Sequence, residues 1–228
     1  MRSLLVIAFL APALLAQTPR PKPYVTADQL DVKVLLAAPV PNETELPEVH
    51  RIQDTRTPAD VRQAQADDAE EDMFVFKTVL GDKFNGASLP LTAALSARVH
   101  ANEGVITNPA KAYFKRIRPF NFDHTVKPVC KVKDDPNDYG YPSGHSTSGY
   151  LEALVLIQIV PERRNEILAR ADAYAHNRVV CGVHYPSDTQ ASKLVAYATM
   201  GLMMNNVEFQ RDLAAAKAET RRALFGGE

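Results

Sequence analysis

YPSGHSTSGYLEALVLIQIV, residues 141–160, is the stretch whose reading decides the fold. Ser143 stands ahead of an apolar series, Tyr150, Leu151, Leu154 and Ile157, spaced for one face of a helix. A serine there is an N-cap: its oxygen takes one first-turn N–H, and the other free N–H groups point outward, ready for an anion. A cap beside a tight glycine turn explains Ser143 and Gly144 structurally. It does not explain His145. A charged histidine opposes the positive end of the helix dipole. It makes sense where a bound anion offsets that field and the ring donates a proton to a leaving oxygen.

The same helical spacing recurs on both sides. Downstream, 161 to about 180, 186–204 and 207–224 are expected helices. Upstream, Thr26-Ala27-Asp28-Gln29 reads as a helix start, with Leu30, Val34 and Leu35 in helical period before Pro39 and Pro41. The polar stretch from 44 to about 70 is divided by Pro58, and an apolar helix over 73–80 ends near Gly81. A helix over 90–102 is followed by a fresh start at Asn108-Pro109, with Pro109 in the first helical position. No alternating β-branched segment competes, and only 10 glycines break the chain. The expected architecture is an all-α, single-domain helical bundle.

The first residues set an expected compartment. Arg2, the apolar run 4–15 and Ala16 ahead of Gln17 have the form of a cleaved secretory leader over 1–16. The run is too short for a comfortable membrane anchor. An extended, proline-rich segment over 17–24 would follow, then one domain over 25–228, periplasmic or secreted. The later apolar stretches 151–160 and 194–204 are core segments by length, so the mature chain is not expected to be membrane-embedded. Charge is balanced, 26 Lys+Arg against 27 Asp+Glu, and no long basic run offers a nucleic-acid surface. Cys130 and Cys181 are compatible with a disulfide in an oxidising compartment, and equally with two buried thiols.

Two further runs complete the chemistry. In KAYFKRIRP, residues 111–119, Lys111, Lys115 and Arg118 fall at i, i+4 and i+7, and Pro119 places Arg118 at the helix end. Such a basic face is ordinarily solvated. Arg118 beside a rigid proline is instead suited to gripping two phosphate oxygens at once. Arg116 points elsewhere and is assigned a structural or solvated role. In RVVCGVHYPSD, residues 178–188, Tyr185 is the expected boundary and Pro186 opens a helix. Asp188 then lies in its first turn with His184 within reach. A carboxylate there can fix one ring tautomer and free the other nitrogen to attack; the plainer role is to favour the helix dipole. His50, His100, His124 and His176 have no such setting and are read as surface or core. Glu103 is a weak candidate for facing substrate. His145, His184 and Asp188 could also ligate a metal, but three nearby cations and the absence of ligand spacing argue against it.

In order, the runs read K-x6-R-P, P-S-G-H and R-x5-H-x3-D. This resembles the signature of the type 2 phosphatidic acid phosphatase superfamily, and within it the class A bacterial non-specific acid phosphatases. Residues 113–130 and the CG-x-H context of His184 add to that likeness, which extends over most of 25–220. The resemblance implies the bundle of the acid phosphatase and vanadium-dependent haloperoxidase type. It assigns phosphate binding to Lys111, Arg118, Ser143, Gly144 and Arg178. It makes His184 the nucleophile, Asp188 its orienting partner, and His145 the acid and then the base. It further implies phosphate monoester substrates of broad range, a phosphotransferase side activity, no metal or cofactor, inhibition by vanadate and a homodimer. The family has Ser where this chain has Asn177, and Pro186 is unusual. A non-catalytic exported phosphate binder is the rival reading. Such a binder needs the cations but not His145, His184 or Asp188.

Overall fold

The computed structural model describes residues 21–226; the leader expected over 1–16 lies outside them. The described residues form helices and connecting turns with no strand, as expected for an all-α bundle. Helix α1 spans Val32–Leu35, α2 Asn42–Thr55, α3 Pro58–Ala69 and α4 Lys77–Leu80, the last entered through a 3-10 turn over Met73–Phe76. Then come α5 Pro90–His100, α6 Asn102–Phe114, α7 Pro119–Phe122, α8 Gly144–Ile159, α9 Arg164–Val180, α10 Pro186–Met203 and α11 Val207–Phe225. No helix of the described residues is long and apolar enough to cross a membrane.

Local chemistry sets most of these boundaries. Thr57 and Asp60 form a reciprocal capping box around Pro58 at the first position of α3. Asn206 accepts from Phe209 N at 3.0 Å to start α11. Gly81, at φ 86°, ends α4 in a conformation that other residues resist.

Helix α8 is the axis of the bundle, packed by α9, α10, α11, α5 and α6. It is buried almost all round, which explains an amino-terminal half of small residues (Ser146, Thr147, Ser148, Gly149) and an apolar second half. A Cβ on Gly149 would stand 2.6 Å from the Tyr174 ring, so glycine is what lets α9 approach. Glu152 is the anomaly on this helix. It is fully buried, accepts from Ser96 Oγ at 3.0 Å, and leaves Oε2 with no partner. Burial pushes its carboxyl well above the usual range. A second, smaller core of Val49, Ile52, Ala64, Val179, Val180 and Tyr185 joins α2 and α3 to the end of α9. There Cys130 and Cys181 are disulfide-bonded, with Cα atoms 5.2 Å apart, which resolves the alternative left open by sequence.

Two expected starts are corrected. The segment from Thr26 forms turns, and the helix is only the short α1, capped by Asp31, whose carboxylate accepts from Lys33 N. Pro109 does not open a helix but lies inside α6. Its missing N–H removes one ladder bond, yet the ring is exposed while Ile106 and Ala110 are buried. Tertiary packing of that face outweighs the local cost.

Candidate active site

A cavity of about 670 Å³ opens at the amino-terminal end of α8. Ser143 lies beneath the turn at that end: its Oγ accepts from Ser146 N at 3.4 Å, and its backbone N–H donates to Asp188 O at 3.2 Å. Ser192 Oγ donates to Ser143 O at 2.8 Å, so the starts of α8 and α10 are tied together. Ser143 is wholly buried, and Gly144 and His145 are the residues of the turn that line the cavity. A Cβ on Gly144 would collide with the Glu103 carboxylate and stand 3.1 Å from Lys111 Nζ. Only glycine brings the backbone this close to those charges.

The Asp188 carboxylate caps its own helix, accepting from Tyr185 N at 2.9 Å. It also lies 3.1 Å from His184 Nδ1, while Arg118 Nη1 stands 2.9 Å from His184 Nε2. A guanidinium can only donate, so Nε2 carries the lone pair and the proton sits on Nδ1, donated to Asp188. Burial, then the Arg118 and Arg178 charges, push the His184 ring well below the ordinary histidine range. His184 is thus a neutral imidazole with its lone pair among cations.

Each of the three expected cations has a carboxylate beside it. Lys111 Nζ lies 3.5 Å from Glu103 Oε1, Arg118 Nε 2.9 Å from Asp138 Oδ2, and Arg178 Nη1 2.6 Å from Asp68 Oδ1. Arg178 also keeps a buried Nε that has no acceptor among the described residues, a costly condition that an incoming oxygen would relieve. His145 Nε2 faces Glu71 Oε1 at 3.3 Å and Asp68 Oδ1 at 3.8 Å. Even so, burial and then the Arg178 charge lower its pKa to about 3.

The structure brings Lys111, Arg118, Gly144, His145, Arg178 and His184 onto one cavity wall. Asp188 lies behind His184, and Ser143 under the turn. Lys115 is not with them. It takes a left-handed conformation at φ 49°, ends α6 and is exposed, so Lys111, Lys115 and Arg118 do not share a helix face as expected. Arg118 reaches the cavity from an extended residue ahead of α7. His100, expected to be ordinary, lines the cavity with its Nδ1 2.9 Å from Ser148 Oγ; Glu103 lines it too. The ligand atoms of His145, His184 and Asp188 do not gather as a metal-binding set. The one such grouping among the described residues, Asp68 with Cys130 and Cys181, has its sulfurs joined to each other.

Arg116, read from sequence as structural or solvated, stands behind the site. It is buried, and Nη1 donates to Asp188 Oδ1 at 2.6 Å while Nη2 donates to Glu45 Oε2 at 2.7 Å and Val40 O at 2.7 Å. Its guanidinium lies over the Tyr185 ring. The Asp188 carboxyl is held at about 6, pushed up by burial against the opposing pull of Arg116, the largest influence in the other direction. Asn177, the departure from the family pattern, donates Nδ2–H to Asp67 Oδ2 at 2.7 Å. That bond ties α9 to α3 next to Asp68, the partner of Arg178.

The PAP2 superfamily profile matches residues 91–212, which include all three motif runs. Over 116 residues the chain is 40% identical to a non-specific acid phosphatase of Providencia stuartii, covering 50% of this chain and 46% of that protein. It is 34% identical over 140 residues to an acid phosphatase of Zymomonas mobilis, covering 60% and 52%. It is 34% identical over 150 residues to a non-specific acid phosphatase of Salmonella typhi, covering 64% and 59%. The matched stretch thus spans about half the length of these curated relatives.

Proposed function

The chain belongs to the PAP2 superfamily, and from that premise we propose that it is an acid phosphatase, hydrolysing phosphate monoesters through a phosphohistidine on His184. The observation that carries this reading is the state of the His184 ring. Its Nδ1–H is held by Asp188 at 3.1 Å and its Nε2 lone pair faces Arg118 at 2.9 Å, so a nucleophile stands where phosphate oxygens would be gripped.

Lys111, Arg118 and Arg178 take the equatorial oxygens, and Ser143 and Gly144 supply the turn and its N–H donors. The Nε2 lone pair of His184 attacks phosphorus, the bond to the ester oxygen breaks, and that oxygen takes a proton from His145. Water then gives a proton to His145 and attacks phosphorus from the same side, breaking the P–N bond and releasing phosphate. His145 needs a proton for the first step, and in the free protein its pKa is about 3. A bound phosphate, as a nearby negative charge, raises that pKa, so proton and substrate arrive together. The route needs no metal ion, because side-chain cations carry the developing charge. Vanadate, which copies a five-coordinate phosphorus, would block it. Export belongs to the same proposal and rests on the form of the leader over 1–16; a homodimer, a broad substrate range and a phosphotransferase side activity belong to it too and rest on the resemblance.

The test is p-nitrophenyl phosphate hydrolysis by the wild type and by His184→Ala. Turnover should fall by about a thousandfold or more, while inorganic phosphate still binds. Near-normal activity in the variant overturns the mechanism.

A further inference from the structure

The cavity, about 670 Å³, extends well beyond the cluster of groups that would hold one phosphate. Its charged wall residues are mostly matched. Lys111 faces Glu103, Arg118 faces Asp138 and Arg178 faces Asp68, while Glu71 faces only His145, a neutral ring in the free protein. Among the cations, Lys131 and Lys133 are the exceptions. Both line the cavity, and neither ammonium has an ion-pair or hydrogen-bond partner among the described residues. Val132 between them is 48% exposed, and half-buried Phe120 lines the same cavity.

This rim is anchored to the catalytic groups. Val129 N donates to Cys181 O at 3.1 Å, and Gln65 Nε2 donates to Val129 O at 2.7 Å. The Cys130–Cys181 bridge follows, and Lys131 N donates to Asp68 Oδ2 at 3.1 Å, the carboxylate that also holds Arg178. Two unmatched ammonium groups are therefore attached to the same scaffold as the phosphate-binding arginine. Asp134 and Asp135 come next in sequence but do not line the cavity.

We propose that Lys131 and Lys133 form a second anion subsite. The substrates it favours are phosphate monoesters whose leaving group carries another anionic group, a carboxylate or a phosphate. A flat or apolar body would lie along Phe120 and Val132. The inference rests on the phosphatase reading above, which assigns the first subsite.

The experiment compares kcat/KM for phenyl phosphate, 4-carboxyphenyl phosphate and hydroquinone bisphosphate (first ester only). The enzymes are the wild type, Lys131→Ala/Lys133→Ala and Lys131→Arg/Lys133→Arg. Lys131 and Lys133 are exposed, so the ratio of each doubly anionic substrate to phenyl phosphate should fall about fivefold in the alanine pair, as expected for two solvent-screened charge contacts, and persist in the arginine pair. Added salt should shrink the wild-type ratio. Which substrate responds distinguishes a carboxylate subsite from a phosphate one. The same ratio is read without turnover from calorimetric binding of 4-carboxyphenylphosphonate against phenylphosphonate. If phenyl phosphate is not hydrolysed, the phosphatase reading fails, and the binding ratio still decides the subsite. Ratios unchanged by the alanine pair overturn the subsite.

Discussion

Arg116 donates to the Asp188 carboxylate across 2.6 Å, with 2% of one side chain and 0% of the other reached by solvent. Behind the Asp188–His184 contact therefore stands a second buried ion pair, extended by Glu45. Removing one member of such a cluster leaves an uncompensated charge, at a cost of about 3–5 kcal/mol.

This makes Arg116 a positioning residue with a kinetic signature. In the proposed route the ionised Asp188 carboxylate orients His184, and Arg116 draws that carboxyl down from where burial would leave it. In Arg116→Met the Asp188 pKa should rise above about 6, so the acid limb of the kcat profile moves to higher pH. Arg116→Lys should shift it less. A folded variant with an unmoved acid limb contradicts this role.

Loading of His145 with a proton can be read from sulfate, which stays a dianion from pH 4.5 to 7. The ring's pKa of about 3 means that the free protein holds it neutral across that range. A bound dianion raises the pKa, so sulfate affinity should strengthen as pH falls, with uptake approaching one proton per sulfate. His145→Gln should flatten the dependence. Titration calorimetry in buffers of different ionisation enthalpy measures the uptake; affinity independent of pH in the wild type speaks against the coupling.

Glu152 predicts a pH dependence of stability unrelated to catalysis. Burial raises its folded-state pKa well above that of the unfolded chain. Its contribution is therefore fully present below the ordinary carboxylate range and is lost as pH rises toward the folded value. The slope in that window is about 1.4 kcal/mol per pH unit for one proton. Denaturant unfolding of the wild type and Glu152→Gln should diverge as pH rises, the wild type losing ground. Parallel curves from pH 4.5 to 8 contradict a protonated buried carboxyl.

The Cys130–Cys181 bridge joins positions separated by 51 residues. In the chain-entropy model a loop of that length is worth about 4 kcal/mol. Cys130→Ala/Cys181→Ala should unfold at a clearly lower denaturant midpoint, and reductant should act on the wild type alone. Equal midpoints with and without reductant count against a structural role for the bridge.

Much of this was legible because it is local. Ser143 as a cap, Asp188 in a first turn beside His184 and proline at the start of α3, α5 and α10 all depend on neighbours within a few residues. The misreadings share a different cause. Pro109 keeps its helix because Ile106 and Ala110 are buried, which its own dipeptide cannot signal. The spacing of Lys111, Lys115 and Arg118 fits one helix, whereas a left-handed residue at Lys115 ends that helix. Arg116 meets partners 71 and 72 residues away, Glu45 and Asp188, and no periodicity encodes such a meeting. His100 reaches the cavity because α5 packs on α8. The chemistry was carried by motifs, and the groups that hold the motifs in place were set by packing.

The central claim is that His184 takes the phosphoryl group before water does, and the stereochemistry at phosphorus tests it most directly. A phosphate monoester made chiral with three oxygen isotopes is transferred by the wild type to an alcohol acceptor, and the product configuration is determined. Two in-line displacements, first by His184 Nε2 and then by the acceptor, predict net retention; inversion would mean direct attack on the ester and would contradict the account.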